Sequence, residues 1–229
     1  NNITEPKHVE PNKLSIEQHS IHRLPIDFLF PKPAEAISTG TVIDIEMEPE
    51  YDWAGNSARC LGIVLHRSLH DIAIEGLEAW SEQRVKDLRP RFKSALLGEG
   101  LSLEQAEKEL STGLNALANI LEDERGKWIL SQHDDAHSEY PLTFYQDNRY
   151  IRNVIDRTFV DKGTRWIIDY KTGTHKGVGK NLDIFLENEV KRYKHQLDRY
   201  ELVIRKLGEK RPIKKALYFP LLKAWREMN

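Results

Sequence analysis

The hydrophobic period of the chain changes after Ser138, and that change confines the fold more than any other feature. Before it, apolar residues recur every three or four positions, the spacing of one helix face. From Leu61 onward, Leu65, Leu69, Ile72, Gly76 and Trp80 predict a first helix. Ser102 followed by Gln105 has the form of a capping box, and it opens a second helix with the stripe Leu103, Ala106, Leu110, Leu114, Leu117 and Leu121. The RPRFKSAL segment between them completes a mostly helical first half. After Ser138 the period is two. YPLTFYQ, YIRNVIDRTFV and TRWIIDYKTG predict three strands, with turn signals at Gln146-Asp147-Asn148 and Asp161-Lys162-Gly163. A long helix from Leu182 to Leu207 follows, with Val190, Tyr193, Leu197, Tyr200, Ile204 and Leu207 on one side, and KKALYFPLL supplies a last strand around Ala216 to Phe219. Helices, a meander, a helix and a strand imply a mixed α/β (α+β) domain, with a small central mixed sheet flanked by helices.

An apolar fraction of 39% over 229 residues is enough for one substantial core. Residues 1–50 carry Pro6, Pro11, Pro25, Pro31, Pro33 and Pro49 without sustained periodicity, so they are expected to form an arm or linker, with the folded domain over 51–229. No apolar run approaches the ~20 residues that cross a bilayer, and the first residues lack the basic and apolar regions of a signal peptide. A cytoplasmic protein without membrane contact is the expectation. Cys60 is the sole cysteine, which excludes an internal disulfide framework and a four-cysteine metal site. Formal net charge is −2, but from Lys171 onward there are 15 Lys and Arg against 7 Asp and Glu. A basic carboxy-terminal quarter can follow a phosphate backbone or be a solvated helix face.

The chemistry is concentrated in WIIDYKTG, Trp166 to Gly173. Side chains at i and i+2 of a strand share a face, so Asp169 and Lys171 stand together and Tyr170 faces away. Ile167 and Ile168 mark the strand as buried, where an unpaired charge is costly. Asp156 lies in the preceding strand, one tight turn away, so a hairpin can bring both carboxylates to one end of the sheet. Two hard oxygen donors converging there suit Mg²⁺ or Mn²⁺, and Lys171 beside them can hold or polarise a water.

The string IDRTFVDKGTRWIIDYKTG resembles the core motif of the PD-(D/E)XK nuclease superfamily, in the form borne by RecB-like and AddA-like exonuclease domains of helicase-nucleases. Two further signatures stand at fitting positions: GIVLH, with Gly62 four residues before His66, and QLDRY, with Gln196 four residues before Tyr200. The resemblance spans roughly Gly62 to Tyr200. It implies a restriction-endonuclease-like core and Mg²⁺ (or Mn²⁺) held by His66, Asp156, Asp169 and the backbone carbonyl of Tyr170. It further implies that Asp156, Asp169 and Lys171 form the catalytic set and that Gln196 and Tyr200 line the DNA path. Glu139 resembles the family's acidic position on the first strand. The implied activity is metal-dependent hydrolysis of DNA phosphodiesters, exonucleolytic in type, in end processing or recombinational repair beside a helicase motor domain or subunit. The Lys191, Arg192, Lys194, Arg199, Arg205 and Lys206 series then reads as an electrostatic track for the strand.

Three rival readings come from the same residues. GTHKGVGKN resembles a phosphate loop, but five residues rather than four separate Gly173 from Gly179, and Asn181 stands where Ser or Thr is required. No bound nucleotide is expected, and the segment reads as a loop over the site. HDDAHSE offers His133, Asp134, Asp135, His137 and Glu139 as zinc ligands, the basis of a metallohydrolase reading, against that of a solvated loop between elements. A DNA-binding or scaffold module of the same fold without catalysis is the third, although Asp156, Asp169 and Lys171 are all in place.

Overall fold

The computed structural model describes residues 55–146, 149–173 and 181–228. The expected arm over 1–50 and most of the GTHKGVGKN loop lie outside them.

The helical first half contains α1 (Asn56–Glu75), α2 (Glu82–Asp87), α3 (Arg89–Gly98), α4 (Leu103–Glu122) and α5 (Glu124–Leu130). The first helix stops earlier than its stripe suggests: Gly76 takes φ 86°, and a single 3-10 turn, Leu77–Ala79, carries the chain to Trp80, which is buried outside the helix. The capping box of α4 forms as expected, with Ser102 Oγ accepting from Gln105 N and Gln105 Oε1 accepting from Ser102 N. Its buried face is rotated relative to the expected stripe. Ala106, Leu110, Gly113, Ala116, Leu117 and Ile120 are buried, and Leu103 is 66% exposed. Gly113 is where α3 crosses closely: a Cβ there would lie 2.4 Å from Phe92 Cζ.

The sheet has β1 (Asp134–Gln146), β2 (Arg149–Asp161), β3 (Thr164–Tyr170), β4 (Ile213–Phe219) and β5 (Ala224–Met228) in the order β1-β2-β3-β4-β5. The first three strands form the expected antiparallel meander, and β3 pairs with β4 in parallel, so α6 (Asn181–Lys206) is a crossover between them. The turn between β2 and β3 is a two-residue hairpin loop, with positive φ at both Lys162 and Gly163. Strand β5, a short antiparallel edge, was not foreseen. HDDAHSE is also not a loop, because all but His133 belongs to β1, which carries a bulge between Asp134 and His137.

The sheet separates two cores. On one side α1 to α5 pack against Phe159, Ile168, Tyr170, Ala216 and Tyr218; on the other, Leu186, Leu197, Tyr200, Val203 and Ile204 of α6 cover Ile155, Ile167, Leu217 and Phe219. Strand β3 is covered on both faces, which is why it reads as a nearly continuous apolar run. Two polar anchors hold the layers together. Lys215 on β4 is buried, and its ammonium lies 2.5 Å from Asp198 and 2.8 Å from Glu201 of α6. Asp123 accepts from the Gly126 N–H and the Tyr218 hydroxyl, both at 2.9 Å, tying the start of α5 to β4.

Candidate functional site

The site lies where β2 and β3 part. Their ladder runs from the turn to the Arg157–Ile168 pair and goes no further. Beyond it the Tyr170 N–H donates to the Asp156 side chain, Oδ2 at 2.7 Å, rather than to a backbone carbonyl of β2. The carboxylate thus satisfies a donor that would otherwise be left unpaired in the core, and it sits in the gap it helps to open. Opposite Tyr170, β3 stays attached to β4, and Lys171 N donates to Tyr218 O at 2.9 Å.

Helix α1 crosses this gap. Gly62 lies against Thr172, just past the end of β3, where a Cβ would make an ordinary contact at 3.6 Å from Thr172 Oγ1. One turn later His66 reaches down with both ring nitrogens engaged: Nε2 is 3.2 Å from the Tyr170 carbonyl oxygen, and Nδ1 is 3.4 Å from Asp156 and 3.8 Å from Glu139. An imidazole between a carbonyl and two carboxylates is favoured as its cation. Burial works against the charge, but Asp156 above all, with Glu139 and Asp169, carries the pKa of His66 from 6.5 up to about 9. The reciprocal holds for Asp156. Burial opposes its ionisation, yet His66, Lys171 and the Tyr170 N–H keep it below the usual aspartate value.

Glu139 lies between the Ser138–Arg157 and Tyr140–Ile155 pairs of the ladder, opposite Asp156, with φ 49°. A non-glycine residue in the left-handed region costs roughly 1–2 kcal/mol, and such strain persists where the surroundings enforce it. Burial and the neighbouring Asp156 charge both push the Glu139 pKa up, against the pull of His66. Two carboxylates facing each other across a ladder are repulsive until a cation joins them.

Asp169 and Lys171 do share a face, the one toward α6. Asp169 is 2% exposed; its Oδ2 is 2.9 Å from Lys171 Nζ, and its Oδ1 accepts from Gln196 Nε2 at 3.3 Å. The same Gln196 amide donates to the Tyr200 hydroxyl at 2.7 Å, and burial, with the Asp169 charge next, pushes that phenol upward so that it stays protonated. Sequence reading missed Tyr193, whose ring centre lies 3.6 Å from Lys171 Nζ and holds the ammonium by a cation–π contact. The signal was there, because Tyr193 precedes Gln196 by three residues and so shares its helix face.

Among the described residues, one group of three His, Asp or Glu ligand atoms lies close enough for a single ion: His66, Glu139 and Asp156, all within 4.8 Å of one another. An imidazole and two carboxylates, beside the Tyr170 carbonyl, are the donor chemistry of a small divalent cation, so the residues present fit one. Asp169 is outside that triplet and is engaged with Lys171 and Gln196. The zinc cluster in HDDAHSE does not assemble: His133 is 2.5 Å from Trp128 O and stacks on Phe159, while His137 turns to Asp135. The basic series along α6 is largely paired, Arg192 with Glu189, Lys194 with Asp198 and Arg205 with Glu201, and Lys206 lies over Phe144.

The family model described as the PD-(D/E)XK nuclease superfamily matches residues 49–227. No curated protein matches the sequence.

Proposed function

The chain belongs to the PD-(D/E)XK nuclease superfamily, whose nucleases use divalent metals, and from that premise we propose that it is a Mg²⁺- or Mn²⁺-dependent deoxyribonuclease of exonuclease type. The observation that carries the proposal is the parting of β2 and β3, which gathers an imidazole, two carboxylates and a backbone carbonyl in one gap with a buried Lys-Asp pair alongside.

In this reading His66, Asp156 and the Tyr170 carbonyl hold the cation, with Asp169 as the second aspartate ligand and Glu139 as a further acidic donor. The cation supplies Lewis acidity at the phosphodiester and lowers the pKa of nearby water. Lys171 does the work next to it. Its ammonium is fixed from two sides, by Asp169 and by the Tyr193 ring, so it is pre-positioned to orient water and to stabilise charge developing on the phosphoryl oxygens. Asp156 has two oxygens and two tasks. Oδ2 keeps the Tyr170 peptide in place, which aims the carbonyl, while Oδ1 faces His66. Gln196 links Asp169 to Tyr200 and lines the strand's path on the α6 side. Exonucleolytic cutting, a role in end processing or recombinational repair, a helicase partner and a cytoplasmic site of action complete the proposal.

The test is degradation of linear single- and double-stranded DNA with Mg²⁺ or Mn²⁺, beside Asp169→Ala and Lys171→Ala. Metal-dependent loss of DNA from its ends, abolished in both variants, supports the reading. Equal inertness of wild type and variants, all folded, makes the chain a binding module.

A further inference from the structure

Next to this site is a groove that the metal chemistry does not use. It has a volume of about 550 Å³ and runs between the second half of α1 and the start of β1, with His70, Ile74, His133, His137, Ser138 and Arg157 in its walls. Three of these are tied to the candidate ligands. His70 follows His66 by one turn of α1, so it shares that helix face, Ser138 precedes Glu139, and Arg157 follows Asp156.

Among the described residues no Asp or Glu lines the groove, although the three residues just named adjoin a site rich in acids. His137 in the wall of the groove meets Asp135 Oδ1 at 3.1 Å, but that carboxylate is not part of the lining. Arg157 is 3% exposed, yet its guanidinium meets no carboxylate among the described residues. It donates to Ile129 O at 3.1 Å, Ser131 O at 2.9 Å and Ser138 Oγ at 3.0 Å. Those bonds use three of five N–H donors. The bonds to Ile129 and Ser131 cap the end of α5, which is a structural role, but they leave the charge unneutralised. A buried cation without a counter-ion is costly. His70 offers a second donor beside it. Neither ring nitrogen has a hydrogen-bond partner among the described residues, and Nδ1 is fully buried. An orphaned buried N–H is rarer than an orphaned lone pair, so the buried Nδ1 is read as the lone pair and the donor that the ring offers is Nε2–H of a half-buried side chain. The Ser138 hydroxyl accepts from Arg157 and keeps its own proton to give.

We propose that this groove is an anion subsite that takes a phosphate group of the nucleic-acid strand, one removed from the scissile linkage. Naming the anion as a nucleic-acid phosphate rests on the nuclease reading above; that the groove binds an oxyanion rests on Arg157, His70 and Ser138 alone. The phosphate is either an internal diester or a terminal monoester, and both bring the negative charge that the groove's own lining lacks among the described residues.

Ile74 gives a test that spares the fold, because it lines the groove but is 68% exposed. Inorganic phosphate is titrated into the metal-free full chain and followed by histidine side-chain NMR, with sulfate and chloride at matched ionic strength. The His70 ring signals are expected to move saturably with phosphate and not with chloride. Ile74→Glu is expected to weaken the apparent affinity about fourfold and Ile74→Lys to strengthen it about fourfold, as one unit charge ~10 Å away does in a half-solvated setting. Fluorescence anisotropy with DNA carrying a phosphate or hydroxyl at either end then separates the sources. A preference for one phosphorylated end that Ile74→Glu removes identifies the monoester. Absence of end preference, with binding weakened by one neutral methylphosphonate linkage, identifies the diester. His70 signals unmoved by phosphate, with both Ile74 variants binding DNA as wild type does, overturn the subsite and leave the nuclease reading intact. Phosphate binding at His70 in a protein that cleaves no DNA does the reverse.

Discussion

Replacing Asp156 with Asn probes the electrostatics of the site while sparing its architecture. The Asn side-chain oxygen can still accept the Tyr170 N–H that Asp156 now receives at 2.7 Å, so the gap between β2 and β3 stays as it is. What disappears is a negative charge 3.4 Å from His66 Nδ1. At an effective dielectric of ~20 that interaction amounts to about 5 kcal/mol, or about 3.5 pH units at ~1.4 kcal/mol each. Burial, which opposes the imidazolium, is unchanged, and the remaining carboxylates, Glu139 and Asp169, are weaker causes than Asp156. His66, raised to about 9 in the metal-free wild type, is therefore expected to titrate at about 5.5 in Asp156→Asn. The stability consequence has a definite sign. The fold favours the protonated ring, so its contribution is complete below about 6.5 and is lost as pH rises through about 9. Its ceiling is about 3 kcal/mol, reduced because the ring is partly exposed. Histidine NMR titration of both metal-free proteins, with urea unfolding at pH 6.5 and 9, measures both effects. A His66 that still titrates above about 8 in Asp156→Asn, or a wild type equally stable at both pH values, refutes the reasoning.

Further outcomes follow from the same geometry. Loading Mn²⁺ must displace the His66 proton, so calorimetry in buffers of different ionisation heat at pH 7 is expected to show about one proton released per ion, and affinity to rise with pH up to about 9. Lys171→Met keeps an apolar stem against Tyr193 but leaves buried Asp169 without its cation. Nuclease activity is expected to fall at least ~100-fold, with a loss of about 3 kcal/mol on urea denaturation. Gly126→Ala puts a Cβ 2.7 Å from the Tyr218 hydroxyl and 2.8 Å from Ile120 O, and is expected to cost about 1–3 kcal/mol in thermal unfolding while leaving the histidine titrations unchanged.

The parts of this molecule that were readable in the sequence are those written in a repeating period. Strand β3 announces itself because both its faces are covered, and the i, i+2 rule alone puts Asp169 and Lys171 side by side. The capping box of α4 is equally local. Other features depend on partners far away in the chain. Strand β5 is five residues long and acquires its meaning only from pairing with β4. The polar HDDAHSE run has no apolar alternation, yet β2 recruits it into β1 through a bulge. Glu139 owes its aim to a left-handed backbone that no glycine or asparagine signalled. The placing of His66 over the gap was implied by family resemblance, and physically it depends on α1 packing against Ile168 and Tyr170 of β3, a partner far away in the chain. Arg157 gave no sequence signal, because a buried arginine within a strand is indistinguishable from an exposed one until its neighbours are known.

The central claim is that the gap between β2 and β3 is a divalent-cation centre. Its most direct test is anomalous diffraction from crystals soaked in Mn²⁺, with Asp156→Asn crystals soaked in parallel. The account predicts one strong peak contacted by His66, Asp156 and the Tyr170 carbonyl, and no such peak in the variant. A wild-type crystal without density there, or with manganese held instead by His133 and His137, would contradict it.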